Sequence, residues 1–283
     1  MAIHLVTVVG GPACIGTLPH MLSHYAGLGV DSVVLNVHAP TRDDDTPMQV
    51  AKIAAAFGIS VNSIVVGPWS QGVNPMLYGL ARLSRQNDWW IMADHDEFQV
   101  YPDELSSIID FAERRGYSYI EGCFIDRVAD RGTLAPVQRE LEIWRQYPIG
   151  CLLSANLLRA NPHKIVVARG SVRVGPGQHR ALSRAGCPPL KYYVPVHHFK
   201  WTAGAEAMLA DRVAVWSGLN EPYWEESARF LEHLKAHGVI DLDNPLIRAA
   251  RCDPDYPYWK SLIEERLLDP NAGKLTVQRR ASP

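Results

Sequence analysis

The sequence has neither a cysteine framework nor an excess of charge of one sign. Its five cysteines are scattered singly and form no C-x-x-C pair, which argues against both a disulfide framework and a cysteine-ligated zinc site. The formal net charge is only −2, so nothing attracts nucleic acid or anionic lipid over a long range. We therefore expect a protein of a reducing, cytoplasmic setting that binds no nucleic acid.

Long apolar runs are missing as well. No segment approaches the roughly 18 apolar residues that a spanning helix needs, and the N-terminus, MAIHLVTVVGG, lacks the basic region of a signal peptide. We expect no membrane span and a chain that starts directly with a strand. The composition, 47% hydrophobic and 20% charged over 283 residues, is that of an ordinary globular protein.

Apolar β-branched runs alternate with amphipathic segments through the first hundred residues. The strands are near-continuously apolar, which is typical of a mainly parallel sheet covered by helices. The sequence therefore predicts an α/β fold with a Rossmann-like sheet and a helical C-terminal segment. The predicted strands are Ile3–Val9, Ser32–Val37, Ser63–Val66, Trp89–Ala93, Tyr117–Ile125, Lys164–Val174 and Tyr192–Trp201, and the predicted helices before the C-terminal segment are Leu18–Leu28, Met48–Phe57, Asn74–Arg85 and Asp103–Arg115.

The stretch WWIMADHDEF, residues 89 to 98, turns abruptly from apolar to acidic. Ligands of open parallel sheets bind beyond the carboxyl ends of the strands, where Asp94 and Asp96 would lie. Strand alternation predicts that these two side chains project to the same side and that His95 points away. Two such carboxylates suit Mg²⁺ or Mn²⁺, which complete their shell with water and substrate phosphate. The alternative is that the acids serve only as turn formers or helix caps.

A second cluster, VPVHHFKW at residues 194 to 201, ends an apolar run in His197, His198 and Lys200. An imidazole added to two carboxylates makes a site that favours Mn²⁺ over Ca²⁺, although a lone histidine at a strand end is more often structural. In the loop VGPGQHR, His179 is a further candidate and Arg180 offers a bidentate partner for phosphate or carboxylate. A plain hairpin turn explains the glycines of that loop equally well.

Taken in order, the N-terminal β/α half, DHDEF, DRVADRG, GPGQHR and HHFKW resemble the nucleotide-sugar glycosyltransferases of the GT-A fold. The resemblance is closest to the family-2-like group with a D-x-D-E-F motif and a late H-x-K-W motif, and it covers approximately Ile3 to Arg212. It implies a GT-A domain over residues 1–212, with a helical extension over residues 213–283 packed on the same domain.

The resemblance also implies roles in binding the donor. Asp94 and Asp96 would hold Mn²⁺ or Mg²⁺ against the diphosphate of a nucleotide sugar, with His198 as a third ligand and Lys200 near the phosphates. The acceptor would be a glycan or a small molecule with a free hydroxyl group.

Other residues match the family less specifically. Asp126 and Arg127 match a D-R pair and His179 a G-x-H position, which together with Arg180 would lie near the donor or acceptor cleft. An inverting transfer needs a carboxylate as general base, for which Glu97 and Asp126 are the candidates.

Two departures from the family pattern limit what the resemblance implies. The segment GGPACIG follows the first strand where a polar, often acidic segment is usual, and Asn36-Val37-His38 ends the second strand where acids are common. Asp43, Asp44 and Asp45 in the next loop are either nucleoside contacts or a solvated charge run. A metal-dependent phosphoester hydrolase and a non-catalytic nucleotide-sugar-binding module are the alternative functions.

Overall fold

A mixed sheet runs through the protein and helices cover both of its faces. The computed structural model describes residues 2–70, 72–182, 185–188, 191–218 and 224–251. The strands are β1 (Ile3–Gly10), β2 (Ser32–Ala39), β3 (Val61–Val66), β4 (Trp89–Met92), β5 (Glu97–Gln99), β6 (Tyr119–Val128), β7 (Ile149–Cys151), β8 (His163–Arg169), β9 (Val194–His198) and β10 (Ala250–Arg251).

The helices follow the strands in alternation through the first half of the chain. They are α1 (Cys14–Ala26), α2 (Thr46–Ala55), α3 (Val73–Arg82), α4 (Leu105–Arg114), α5 (Ile143–Gln146), α6 (Ala205–Trp216) and α7 (Trp224–His237). Short 3-10 turns lie at Asp130–Gly132 and Pro176–Gln178, and a π-helical turn lies at Leu153–Leu157. None of the described helices is long and apolar enough to cross a membrane.

The sheet has the order β10-β7-β6-β8-β4-β1-β2-β3. Two strands are not part of this order: β9 pairs with both β5 and β6, and β5 pairs with β9. The strands β3, β2, β1 and β4 are parallel, while β8 pairs antiparallel with β4 and β6. The predicted fold class is confirmed: the fold is α/β with helices on both sheet faces, compatible with a Rossmann-like GT-A fold.

Two apolar layers explain why the parallel strands read as continuous hydrophobic runs. On one face Leu5 and Ile91 pack with α1, α2 and α4, and on the other face Val6 and Trp90 pack with α3. Because both faces are buried, every position of β4 is buried. The predicted elements agree with the observed ones within a few residues, but β5, β7 and β10 were not predicted.

The return of β9 to the centre of the sheet positions the site. It pairs antiparallel with β5, Glu97 opposite His198, and parallel with β6, Asp126 opposite His198. The approach of β6 and β9 is close at Gly122, where a Cβ would lie 2.3 Å from the carbonyl oxygen of Val194. The acidic stretch and the late histidine motif are therefore neighbours in the same sheet.

The C-terminal helices share a core with the sheet. Leu209 of α6 and Phe230 of α7 pack in one cluster with Trp201 and Val128, and α6 crosses residue 212, where the family resemblance implied a boundary. The part of the predicted helical C-terminal segment that follows residue 251 lies outside the described residues.

Candidate active site

The acidic turn follows β4 at the carboxyl edge of the parallel strands, as predicted. The carboxylate of Asp94 accepts hydrogen bonds from Nδ2 of Asn74 at 3.1 Å and from Oη of Tyr78 at 2.8 Å, both on α3. These donors are neutral, and Asp94 forms no ion pair with another described residue. The helix therefore fixes the orientation of Asp94 without neutralising its charge.

His95 points to the opposite face of the sheet from Asp94. Its Nδ1 lies 2.6 Å from Oγ1 of Thr17 on α1, whereas Asp94 contacts α3. The prediction that His95 points away from the side of Asp94 is confirmed, and its hydrogen bond connects the turn to the first helix.

His198 lies between two carboxylates. Its Nε2 is 3.6 Å from Oδ2 of Asp96, its Nδ1 is 3.5 Å from Oδ1 of Asp126, and its ring stacks on Phe124 at a centroid distance of 4.4 Å. Burial acts to lower the pKa of His198, but the charges of Asp96 and Asp126 outweigh it and raise that pKa to about 9. Burial likewise acts to raise the pKa of Asp96, and the nearby cationic groups more than reverse this. The structure thus brings Asp96 and His198 together.

Asp126 is enclosed by hydrogen-bond donors. It is 0% exposed, and it accepts from the backbone N of Ser154 at 2.7 Å, from Oγ of Ser154 at 2.5 Å and from Nε1 of Trp201 at 2.8 Å. Burial acts to raise its pKa, but His198 and these donors lower it below the usual range for an aspartate. A general base must lie within hydrogen-bond distance of the proton that it takes. The role of Asp126 as base stays a prediction.

Glu97 is also buried, at 2% exposure, and its carboxylate forms an ion pair with Lys164 at 2.7 Å. Burial raises the pKa of Glu97, and the charge of Lys164 opposes that shift without cancelling it. Its other oxygen accepts from the backbone N of Asp94 at 3.4 Å. Glu97 lies beside the site and holds the acidic turn; its predicted role as base stays a prediction.

The remaining predicted residues divide into two groups. Lys200 is close enough to Asp96 and Asp126 to interact with their charges, and burial followed by the repulsion of Arg212 lowers its pKa to about 8. The ring of His179 makes an edge-to-face contact with the ring of Phe124 at a centroid distance of 6.4 Å. Lys200 is thus near Asp96, and His179 is close enough to His198 for their charges to interact.

Arg127 and Arg180 lie elsewhere. Arg127 is 1% exposed, and its guanidinium stacks at 5.3 Å on Trp144 in the core layer that contains His197. Arg180 is an exposed side chain of the 175–180 loop. The structure does not bring Arg127 to the face that carries His198, because neighbouring residues of β6 point to opposite faces.

The predicted metal ligands Asp94, Asp96 and His198 do not by themselves form a complete metal-binding site. Within the described part of the chain, no three or more His, Cys, Asp or Glu side chains are arranged so as to hold an ion. The side chains of Asp96 and His198 are adjacent and only 16% and 11% exposed, and Asp94 is hydrogen-bonded to α3.

Sequence reasoning missed the residues that support the site. The most informative signal was Lys164, a charge beside the apolar run of a predicted strand. Asn74 and Tyr78, spaced four apart on one helix face, and Thr17 carried no signal by themselves. Glu226 on α7 was missed too: it is only partly buried, and its charge interacts with that of Lys200.

Comparison with known proteins leaves the family open. No protein-family model matches the sequence, and no curated protein matches it. Similar solved structures include mannose-6-phosphate isomerase from Helicobacter pylori, with 14% identity over 48% of this chain and 54% of that chain at a TM-score of 0.31. This chain therefore spans about half the length of that isomerase.

Two further solved structures are similar over more of this chain. A putative glucose-1-phosphate thymidylyltransferase from Bacillus anthracis matches with 11% identity over 83% of this chain and 84% of that chain, at a TM-score of 0.30. TarS of S. aureus matches with 10% identity over 84% of this chain and 43% of that chain, at a TM-score of 0.34. Similarity of this degree does not identify an activity.

Proposed function

We propose that the chain is a glycosyltransferase that moves a sugar from a nucleotide-diphosphate donor to an acceptor hydroxyl, with Mn²⁺ or Mg²⁺ as cofactor. The observation that carries the proposal is the 3.6 Å approach of Asp96 and His198 next to Asp94, at the carboxyl edge of the parallel strands. The D-x-D-E-F and H-x-K-W motifs, from which the same function was expected, supply these three residues.

The donor set suits such an ion. Two carboxylates and an imidazole are ligands that Mn²⁺ accepts, and the side chains that donate hydrogen bonds to Asp94 are both neutral. Mg²⁺ and Mn²⁺ are commonly bound through one or two carboxylates, with substrate phosphates and water completing the shell. An incomplete protein ligand set is therefore compatible with a metal shared with a diphosphate. Since a metal-bound imidazole must be neutral, an ion at His198 would displace the proton of that ring.

The chain's own residues would do the rest of the work. The ion, when bound, supplies charge that stabilises the leaving diphosphate. Lys200 offers a second positive charge on the same side, while Asn74 and Tyr78 keep Asp94 in one orientation.

Two aromatic rings at the same sheet edge suit the nucleoside. His38 near the end of β2 and Trp69 just after β3 make an edge-to-face contact at 5.1 Å, and Trp69 is 39% exposed. An exposed indole held by a second ring offers a face on which a base can stack. We assign Trp69 to the base of the donor.

One observation favours a second candidate, the binding module without turnover. Glu97 and Asp126, the two candidates for the general base, are both buried with their oxygens hydrogen-bonded within the protein. Under the transferase proposal Glu226, a partly exposed acid whose charge interacts with that of Lys200, is a further candidate for the base.

Incubation with UDP-, GDP- and dTDP-sugars and Mn²⁺ distinguishes the two functions. The transferase proposal predicts that one donor is consumed, by transfer to an acceptor or slowly by transfer to water, and that EDTA stops the reaction. Metal-dependent binding of a donor without consumption, over a range of acceptors, would favour the binding module.

A further inference from the structure

The ammonium group of Lys164 lies buried between two loops of the candidate site. Its Nζ is 2.7 Å from Oε1 of Glu97, 2.8 Å from the carbonyl oxygen of Gly177 and 2.6 Å from Oε1 of Gln178. The side chains of Lys164 and Glu97 are 3% and 2% exposed. Since an ammonium group has three hydrogens, all of its donors are used within the protein. Lys164 therefore does not contact a ligand.

Glu97 connects Lys164 to the acidic turn. The carboxylate oxygen that does not bind Lys164 accepts from the backbone N of Asp94 at 3.4 Å, and the backbone N of Glu97 donates to the carbonyl oxygen of Asp94 at 3.1 Å. The turn that carries Asp94 and Asp96 is thus closed by a side chain whose orientation depends on Lys164.

The second loop depends on the same group. Gly177 and Gln178 both have positive φ, at 65° and 54°, and Gln178 is 0% exposed. A residue other than glycine in this region costs free energy and persists only when its surroundings hold it. Two contacts to Lys164 provide that support, and the next residue, His179, is bonded to the carbonyl oxygen of His163 at 2.7 Å.

We propose that Lys164 is a positioning residue that sets the geometry of the acidic turn and couples it to the 175–179 loop. The inference rests on the proposed function of the turn in binding metal and donor. A buried ion pair does not by itself stabilise a fold strongly, because desolvation of the two charges offsets much of their attraction. The contacts of Lys164 instead join two loops that have no other described side-chain ion pair between them.

Hydrogen–deuterium exchange tests the coupling directly. In Lys164→Met, peptides covering residues 91–98 and 174–180 should both exchange at least about tenfold faster, whereas peptides of β2 and α2 should not change. Lys52→Met, which removes an exposed lysine of α2, is the matched control and should leave both loops as in the wild type.

A double variant separates positioning from stability. Lys164→Met leaves Glu97 as a buried unpaired charge, and Lys164→Met with Glu97→Gln removes that charge. The double variant should reverse most of the decrease in unfolding midpoint that Lys164→Met causes. Compared with the wild type, both of its loops should still exchange faster, and it should bind Mn²⁺ at least about tenfold more weakly. Wild-type exchange in the two loops of the double variant, or a change spread equally over the whole chain, would overturn the proposal.

The outcome does not depend on the transferase assignment. If the wild type binds neither Mn²⁺ nor a nucleoside diphosphate, the proposed function fails, while the exchange of the two loops still decides whether Lys164 couples them.

Discussion

Oδ2 of Asp96 lies 3.6 Å from Nε2 of His198, although the two residues are far apart in sequence. The approach follows from the register of β9, whose last residue is paired with Glu97 on one side and with Asp126 on the other. One histidine is thereby placed beside the acidic turn at the sheet edge where ligands of parallel sheets bind.

Replacing Asp96 tests the metal site. We expect Asp96→Asn to weaken Mn²⁺-dependent binding of a nucleoside diphosphate by at least about tenfold, ~1.4 kcal/mol, because the neutral amide is a poorer ligand. Titration calorimetry measures this, with Asp103→Asn, at an exposed position, as the control. Undiminished metal-dependent binding in Asp96→Asn, with the circular dichroism spectrum unchanged, would exclude the site.

The two adjacent histidines should differ in their effects. His198 contacts Asp96, whereas His197 packs edge-on against Trp144 at 5.1 Å in the core. We expect His198→Ala to weaken Mn²⁺ binding and His197→Ala chiefly to lower the unfolding midpoint, since it leaves a cavity. Manganese titrations and thermal unfolding of both variants distinguish these effects, and the opposite order would refute the ligand assignment.

Trp69 should contribute to nucleotide binding but little to folding. Its indole is 39% exposed, so Trp69→Ala removes a stacking surface worth about 1–3 kcal/mol for a bound base. The measurement is the affinity for the preferred nucleoside diphosphate with Mn²⁺ present. Trp69→Phe, which keeps a ring, should retain most of the affinity; equal losses in both variants would argue against stacking.

Gly122 should tolerate no side chain. A Cβ there would lie 2.3 Å from the carbonyl oxygen of Val194 and 2.7 Å from Cγ1 of Val166, so β6 and β9 would have to separate. We expect Gly122→Ala to destabilise the fold by about 1–3 kcal/mol or more in urea unfolding. Gly79→Ala in α3, with open space around the added carbon, should be neutral or stabilising by up to about 1 kcal/mol. Similar stabilities of the two variants would contradict the strand packing.

His197 should make the free energy of unfolding depend on pH under acidic conditions. Burial, followed by the charge of Arg127, lowers its pKa well below 6.5, so the unfolded chain binds its proton first as the pH falls. The stability that His197 contributes is present above pH 6.5 and is lost below it, at up to about 1.4 kcal/mol per pH unit. The free energy of unfolding of the wild type, relative to that of His197→Phe, should therefore decrease as the pH is lowered from 7.5 to 5. A difference that stays constant would contradict a buried neutral imidazole.

The parallel half of the fold was predictable because its strands are buried on both faces and its helices have clear periodicity. The short strand β5 was not, because Glu97 and Gln99 are polar residues buried by partners distant in sequence: Lys164 binds Glu97, and the backbone N of Gln99 donates to Oη of Tyr25 at 3.2 Å. Local pattern carries no information on such partners.

The candidate site was predictable in part for the same reason. The pattern placed Asp94 at the strand end and His95 on the other face. The meeting of Asp96 with His198 depends on the pairing of β9, which the residues indicated only through the family resemblance. The burial of Glu97 and Asp126 depends on Lys164, Ser154 and Trp201, which no motif connected to them.

Thermal stabilisation by UDP, GDP and dTDP, each with Mn²⁺ and each with EDTA, tests the central claim most directly. A ligand at 100 times its dissociation constant stabilises the folded state by about 2.7 kcal/mol. We predict that one nucleoside diphosphate raises the unfolding midpoint with Mn²⁺, that EDTA abolishes the shift, and that Asp96→Asn does not show it. No shift with any of the three nucleotides, or an equal shift in EDTA and in Asp96→Asn, would contradict a metal-dependent nucleotide-sugar site at Asp94, Asp96 and His198.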